Sequence, residues 1–276
     1  MLNNQLNRSI AIGFVIYNHE SEFSSRLISI LHSGYVAYIF DNSPEISLTR
    51  DEFRDHPNVR YFCAGKNVGL GFGLSVICAN AYLDKFKTLL FFDQDTIFSL
   101  KTLDFVGEFY LDKQEIYKDY AAVLFKGSIQ KTKNQFDIKN EKLIISSGSL
   151  FNLESLRNLN WHNTNYFVDG VDYEFCLRAN RNKYLIGICY NAPDFDHISG
   201  QEDRVYNIFN SKLFLRAYNN RRMLDIFISF NRLIATSIWN FKVIYAFLFL
   251  KAIMVTFSFQ FLVRILNIYE HNNRKQ

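Results

Sequence analysis

Apolar positions along this chain come in unbroken runs and in helically spaced sets, and the two alternate from residue 10 onward. Ile10-Ala11-Ile12-Gly13-Phe14-Val15-Ile16-Tyr17 reads as a strand buried on both faces, as in a parallel sheet. Ser21 is a candidate cap for a helix to about Ser33, with Phe23, Leu27, Ile30 and Leu31 at helical spacing. Tyr35 to Phe40 is a second strand, stopped at Asp41-Asn42-Ser43-Pro44 because Pro44 prevents continuation. A strand, a helix and a strand in that order make a right-handed crossover, hence parallel pairing. Asn58 to Cys63 predicts a third strand. A helix follows to about Leu83, and then a fourth strand at Thr88 to Phe92. Residues 100–118 predict an amphipathic helix, Tyr120 to Phe125 a strand, and Lys126 to Lys142 a loop or an exposed hairpin. Val171 opens another helix, and Tyr184 to Ile188 is a short strand. From Val205 the pattern predicts helix to near Asn267, broken around residues 228–240. Alternating strands and helices predict an α/β domain with a mostly parallel central sheet and a C-terminal helical extension.

The chemistry gathers where strands end. Leu89-Leu90-Phe91-Phe92 runs straight into Asp93-Gln94-Asp95. In open α/β sheets, ligands bind at the carboxyl ends of the strands. Two carboxylates that close cannot both stay ionised cheaply, so either they ask for a cation or the strand simply ends in a solvated acidic turn. Oxygen donors with room for phosphate suit Mg²⁺ or Mn²⁺. Asp41 falls on the same rim as Asn18 and the Asp93/Asp95 pair. The four glycines between Gly65 and Gly73 either bring backbone N–H groups close to a ligand or form a tight strand-to-helix turn. They match neither a P-loop nor a dinucleotide fingerprint. A second acidic cluster, Asp169-Gly170-Val171-Asp172-Tyr173-Glu174, opens a helix. Its acids are placed where the helix dipole favours them and could equally be caps.

Composition fits a folded protein: 49% hydrophobic and 21% charged, with 28 Phe and 16 Tyr among 276 residues. The net charge of +4 is uneven. Residues 201–276 hold 11 Lys and Arg against 4 Asp and Glu, whereas residues 1–200 hold 20 against 23. A basic, apolar C-terminal quarter suits an anionic membrane surface better than nucleic acid. Val243 to Val263 is long enough to span a bilayer. Lys251 and Gln260 within it argue for a helix at the membrane interface or packed on the catalytic domain. Cys63, Cys78, Cys176 and Cys189 form no C-x-x-C pair and read as buried thiols in a reducing compartment. No secretory signal is read at residues 1–9.

Taken in order, these pieces resemble the family 2 glycosyltransferases of the GT-A fold, and most closely their bacterial rhamnosyltransferase-like branch. The matching residues are Tyr17-Asn18, Asp41-Asn42-Ser43, Asn67-Val68-Gly69 with the following glycines, Asp93-Gln94-Asp95, Ser146 to Leu150, Phe167 to Arg178, and His197 with Gly200. The resemblance implies a GT-A catalytic domain at 1–204 and a membrane-associating extension at 205–276. The nucleotide-sugar half would be about 9–97 and the acceptor half about 98–204. Tyr17, Asn18, Asp41, Asn67, Gly69, Gly71, Asp93 and Gln94 would bind the nucleotide-sugar, Asp41 through its base. Asp93, Asp95 and His197 would hold Mg²⁺ or Mn²⁺. Asp172 would be the catalytic base, and Ser147, Gly148, Asp169 and Glu174 would bind the acceptor. Many members carry Glu-Asp where this chain has Val171-Asp172. The implied activity is inverting transfer from dTDP-rhamnose, or otherwise a UDP-sugar, to a polyprenyl-diphosphate-linked glycan at the inner face of the bacterial membrane, in O-antigen or capsule synthesis. A phosphatase of the haloacid dehalogenase type shares Asp-x-Asp after apolar residues. It normally carries the motif on the first strand, whereas three strands precede it here. A third reading is a membrane-bound scaffold that keeps the fold without turnover.

Overall fold

A computed structural model describes residues 9–18, 21–44, 53, 55–197, 204–208, 211–215 and 217–273, in two compact units, Met1–His197 and Ile198–Gln276. The first unit opens with β1 (Ile10–Ile16), α1 (Ser21–His32), β2 (Ala37–Asp41), β3 (Val59–Cys63), α2 (Leu70–Leu83) and β4 (Thr88–Asp93). It continues through β5 (Thr96–Ile97), α3 (Leu100–Tyr117), β6 (Tyr120–Phe125), β7 (Ile138–Asn140) and β8 (Ser149–Asn152). It closes with α4 (Leu153–Asn158), α5 (Val171–Arg181), β9 (Leu185–Cys189) and β10 (Asp196–His197). Eight strands form one sheet in the order β3-β2-β1-β4-β8-β6-β9-β7.

β3, β2, β1 and β4 pair in parallel, and so do β6 and β9. The two parallel blocks are joined by β8, antiparallel to both β4 and β6. Its entry turns on Gly148, whose N–H donates to the Phe91 carbonyl at 2.7 Å and whose carbonyl accepts from Phe125 N–H at 2.9 Å. Gly148 has φ +79, and a Cβ there would lie 2.4 Å from the Phe195 ring, so glycine is required. The central strands are dry: Leu89, Leu90, Phe91 and Phe92 are all buried. One face is filled by aromatics, with Phe92 stacked on Phe98 at 3.8 Å and Phe14 edge-on to Phe23 at 5.1 Å. The parallel crossovers put the carboxyl ends of β1, β2 and β4 on one rim. There Asp93 is in register with Val15, and Asp41 with Ile16.

The second unit corrects one expectation. Residues 204–208 and 211–215 are not helical; they form an antiparallel pair, β11 (Arg204–Ile208) and β12 (Ser211–Leu215). Val205, Tyr206, Ile208, Leu213 and Phe214 are residue types that favour a pleated surface, and segments this short lose the cooperativity a helix needs. Two helices follow, α6 (Asn220–Trp239) and α7 (Val243–Asn273). The Asn219 side chain caps α6 by accepting from Arg222 N–H at 2.8 Å. The break between the helices is short. Phe241 takes φ 56, and Lys242 N–H closes the turn on the Ser237 carbonyl at 2.8 Å. Among the described residues, Ile226, Phe230, Leu233, Tyr245, Ala246, Phe249 and Val263 are the buried apolar residues of this pair. Two of the buried polar residues in this pair have hydrogen-bond partners. Ser237 donates to the Leu233 carbonyl, and Gln260 accepts from Tyr218 N–H at 2.8 Å.

Candidate active site

The rim begins at β1. Its strand ends at Ile16, and the chain turns through Tyr17 and Asn18, which takes φ 46. Tyr17 N–H donates to Gln94 Oε1 at 2.7 Å, and Gln94 Nε2 donates back to the Tyr17 carbonyl at 3.1 Å. Asn18 N–H donates to Ser43 Oγ at 2.9 Å. Three strand ends are thereby tied into one surface. Asp41 and Asp93 stand on either side of β1, two strand spacings or about 10 Å apart along the sheet.

Asp41 is fully buried, and both its oxygens are engaged. Oδ1 accepts from Ser43 N–H at 2.8 Å, and Oδ2 accepts from the Tyr61 hydroxyl. Asn42 clamps the next loop: its Oδ1 accepts from Val68 N–H and its Nδ2 donates to the Gly69 carbonyl, both at 3.1 Å. Asn67 Oδ1 accepts from Gly69 N–H at 3.0 Å. Gly69 (φ +92) and Gly71 lie against the 163–167 loop. A Cβ on Gly69 would come within 2.5 Å of the Phe167 carbonyl oxygen. One on Gly71 would lie 2.7 Å from the carbonyl oxygens of both Asn163 and Tyr166. These two glycines let the 163–167 loop close over the start of α2.

The acids converge across the sheet. Asp93 ends β4, and exposed Asp95 follows it in the turn to β5. Asp172 lies in the first turn of α5, after Gly170 in the left-handed conformation. Burial pushes the Asp93 carboxyl up to about 7, and the negative charges of Asp172 and Asp95 push in the same direction. Burial also raises Asp172, with the Asp169 carboxylate adding to it, while a hydrogen bond from Ser146 pulls it back. The Asp172 charge is thus near enough to act on Asp93, although the two lie on separate halves of the sequence. Two adjacent serines hold these two residues. Ser146 Oγ donates to Asp172 Oδ1. Ser147 Oγ accepts from Asp93 N–H at 2.9 Å and lies 2.7 Å from Thr96 Oγ1.

Arg26 on α1 reaches the same turn. Its guanidinium donates to the Thr96 carbonyl at 2.8 Å and to the Gln94 carbonyl. The sequence singles out nothing at Arg26, and it marks Ser146 only as part of the Ser146 to Leu150 turn. Arg26 follows the helical stripe of Phe23 by three positions, and a cation there is the one signal that could have marked it.

Glu174 and Gly148 do not join this group through their side chains. Glu174 is buried and clamped: Arg178 Nε and Nη2 donate to its two oxygens at 2.8 and 2.9 Å. Arg178 also donates to the Leu159 carbonyl, so the pair ties α5 to the end of α4. Gly148 is the sheet crossing described above. The Asp169 carboxylate acts on Asp172 through its charge. The backbone of His197 pairs with Thr96, next to Asp95. The His197 side chain and Gly200 lie outside the described residues. Among the described residues no group of three or more His, Cys, Asp or Glu forms a metal cluster. The Asp93/Asp95 pair still suits a hard cation. It is an oxygen-only donor set carrying negative charge that a dication would relieve, and it leaves coordination positions for phosphate and water.

No family model matches the sequence. A protein of Shigella flexneri named dTDP-rhamnosyl transferase RfbF is 24% identical over 221 residues, covering 74% of this chain and 73% of that one. Among solved structures, S. aureus TarS matches with a TM-score of 0.51 at 15% identity, over 70% of this chain and 37% of that chain. GalNAc-T7, solved with UDP, GalNAc and Mn²⁺, matches with a TM-score of 0.51 at 11% identity, over 66% of this chain and 42% of that one. The chain thus corresponds to well under half of either solved protein. The fold is that of the GT-A glycosyltransferases, and the resemblance drawn from the motifs is met by a relative named as a rhamnosyl transferase.

Proposed function

We propose that this chain is a metal-dependent inverting glycosyltransferase that moves rhamnose from dTDP-rhamnose to a hydroxyl of a glycan acceptor. The observation that carries the reading is the single corner where Asp172 from α5 meets Asp93 from β4, with Ser146 and Ser147 holding one each. Inverting transfer is one in-line displacement at the anomeric carbon. It needs one base for the acceptor hydroxyl and one charge-stabilising site for the departing nucleoside diphosphate. The corner has one of each.

Asp172 takes the acceptor proton. Its raised pKa makes it a stronger base than an ordinary carboxylate, and Ser146 holds the carboxylate in place. Asp93 and Asp95 would hold the divalent cation, Mg²⁺ or Mn²⁺, which when bound supplies charge stabilisation to the diphosphate. His197, on the strand paired beside Asp95, is the proposed third ligand. Asp41, fixed by Tyr61 and Ser43, presents the β2 end to the base of the nucleotide. Tyr17, Asn18 and Gln94 form the interlocked floor between the two. The acceptor is a glycan on a polyprenyl diphosphate, and the basic C-terminal quarter brings the enzyme to the inner face of the membrane in O-antigen or capsule synthesis.

The test is transfer by purified full-length protein, comparing dTDP-rhamnose with UDP-galactofuranose and other UDP-sugars, with Mg²⁺, Mn²⁺ or EDTA. Asp172→Asn should lose 10²–10⁴-fold in kcat while still binding donor, as expected for removal of a general base. EDTA should abolish transfer. Near-normal turnover by Asp172→Asn, with circular dichroism unchanged, overturns the base assignment. Transfer indifferent to EDTA overturns the cation. Preference for a UDP-sugar changes the donor and leaves the reaction class standing.

A further inference from the structure

Helix α7 has the length and composition to cross a bilayer over Val243–Ile265, and its longest unbroken row of exposed apolar residues runs along one side. Phe247, Leu250, Met254, Phe257, Phe261 and Ile265 recur at three- and four-residue intervals, and all are exposed. At 1.5 Å per residue they draw a straight stripe of about 27 Å. Away from this row Tyr245, Phe249, Gln260 and Val263 are buried, and Gln260 holds the Tyr218 amide, while Val255 and Phe259 stay exposed between the two. A spanning helix shows lipid an apolar surface on the sides its neighbours leave open. The neighbour here is α6, which carries Arg221, Arg222, Asp225, Asn231 and Arg232. Sinking this pair across hydrocarbon would drag those groups in, at about 3 kcal/mol for each charge.

The same apolar surface continues onto α6. Leu224, Phe227 and Ile238 are exposed on it, and the Phe227 ring meets Phe257 of α7 at 6.2 Å. At the joining turn Trp239 is 85% and Phe241 90% exposed, beside Lys242. A tryptophan and a phenylalanine left bare next to a lysine match the boundary between headgroups and acyl chains. Lys251 and Arg264 lie to either side of the α7 stripe, about a quarter turn or less from its centre line, where long side chains reach phosphate while their stems stay in the apolar layer.

We infer that the α6–α7 hairpin lies flat in the interface of an anionic bilayer, on the continuous face of Phe227, Phe247, Phe257 and Phe261. Trp239 and Phe241 anchor its end, and it does not span. The occupant is a membrane and not a second copy because the unit is strongly basic, at 11 Lys and Arg against 4 Asp and Glu in residues 201–276. Two such faces would repel each other, whereas anionic lipid attracts them. The inference rests on the membrane reading above and is independent of which sugar is transferred.

The experiment uses the full chain carrying Trp161→Phe, which leaves Trp239 as the single tryptophan. Vesicles of phosphatidylglycerol and phosphatidylcholine should shift its emission to the blue and carry the protein upward in flotation. Phosphatidylcholine alone should bind at least roughly tenfold less, and alkaline carbonate should release the protein. Phe257→Asp or Phe261→Asp should each weaken vesicle binding by roughly tenfold or more. Gln260→Leu serves as a control for folding of the hairpin. Transfer to a soluble acceptor should be unchanged in the two aspartate variants, which separates failure here from failure of the enzymatic reading. Resistance to carbonate overturns the flat placement. Unshifted emission with dimers in sedimentation overturns the lipid and favours a second copy. Equal binding to neutral vesicles overturns the role of charge.

Discussion

Asp93→Asn tests the electrostatics of the site directly. The Asp93 carboxyl is at about 7 in the folded chain, against 3.8 ordinarily, because burial and two neighbouring carboxylates oppose its charge. That difference corresponds to roughly 4 kcal/mol of folding free energy at pH 8. The folded state holds this proton more tightly than the unfolded one. Its contribution to stability is therefore fully present below pH 3.8 and is lost as the pH rises to about 7. An asparagine keeps the shape and can still accept from Ser147, but carries no charge. Metal-free Asp93→Asn should be more stable than the parent at pH 8, by about 2–4 kcal/mol once side-chain relaxation is allowed for, and nearly equal to it near pH 4. Urea unfolding in EDTA at both pH values measures this as a shift in midpoint at constant m. Saturating Mn²⁺ supplies the complementary arm. At about a hundred times its dissociation constant it should stabilise the parent by roughly 2.7 kcal/mol and the variant by much less. A variant less stable than the parent at pH 8, or a gain of equal size at pH 4, refutes the like-charge corner.

Three further outcomes follow from contacts around it. Ser146→Ala removes the hydroxyl that donates to Asp172, so the carboxyl should rise further. The acid limb of the kcat/KM profile for transfer should then move to higher pH, while donor affinity holds. Gly71→Ala places a methyl group 2.7 Å from two backbone carbonyl oxygens, which cannot swing aside as a side chain tip would. A loss of about 1–3 kcal/mol in urea unfolding is expected, with faster proteolysis of the 163–167 loop. His162 is buried beside Phe151 and Phe175 with neither ring nitrogen hydrogen-bonded, and burial together with Arg178 lowers it to about 3. The unfolded chain takes up that proton near 6.5, so the parent loses stability as pH falls from about 6.5 towards 3. His162→Leu should flatten this acid dependence and match or exceed the parent at pH 7, as read by urea midpoints across that range.

The parts of the fold that a linear reading recovers are those written in local periodicity. Ile10–Ile16 and Leu89–Phe92 are apolar without interruption because both faces are covered, and their shortness and polar flanks favour a strand over a buried helix. Asp41, Asp93 and Asp95 stand out for the same reason, since an acid straight after a buried strand has no packing explanation. What escaped depends on pairing at a distance. The turn at Ser146 and Ser147 is marked by the resemblance, with Ser147 expected to bind the acceptor, but that the two serines hold Asp172 and Asp93 emerges only because antiparallel β8 brings that turn between β4 and the start of α5. The strands at 204–215 were too short for the helical period to be rejected along the sequence.

Glu174 shows where more could have been read. It lies two residues from Asp172 in one helical turn, so proximity alone makes both acids candidates for the same chemistry. A helix separates residues two apart by about 200°, which turns them to opposite sides. Arg178 stands four residues after Glu174, the spacing at which an acid and a base meet on one helical face, and nothing stands in that relation to Asp172 except Cys176. A carboxylate with an arginine already at its own spacing is most simply a structural pair. One without it, buried at a helix start, must find its partner elsewhere in the fold, and Asp172 finds Ser146. The contrast on α5, Glu174 bracing the helix through Arg178 and Asp172 held by Ser146 in the place proposed for the base, follows from that one difference in spacing.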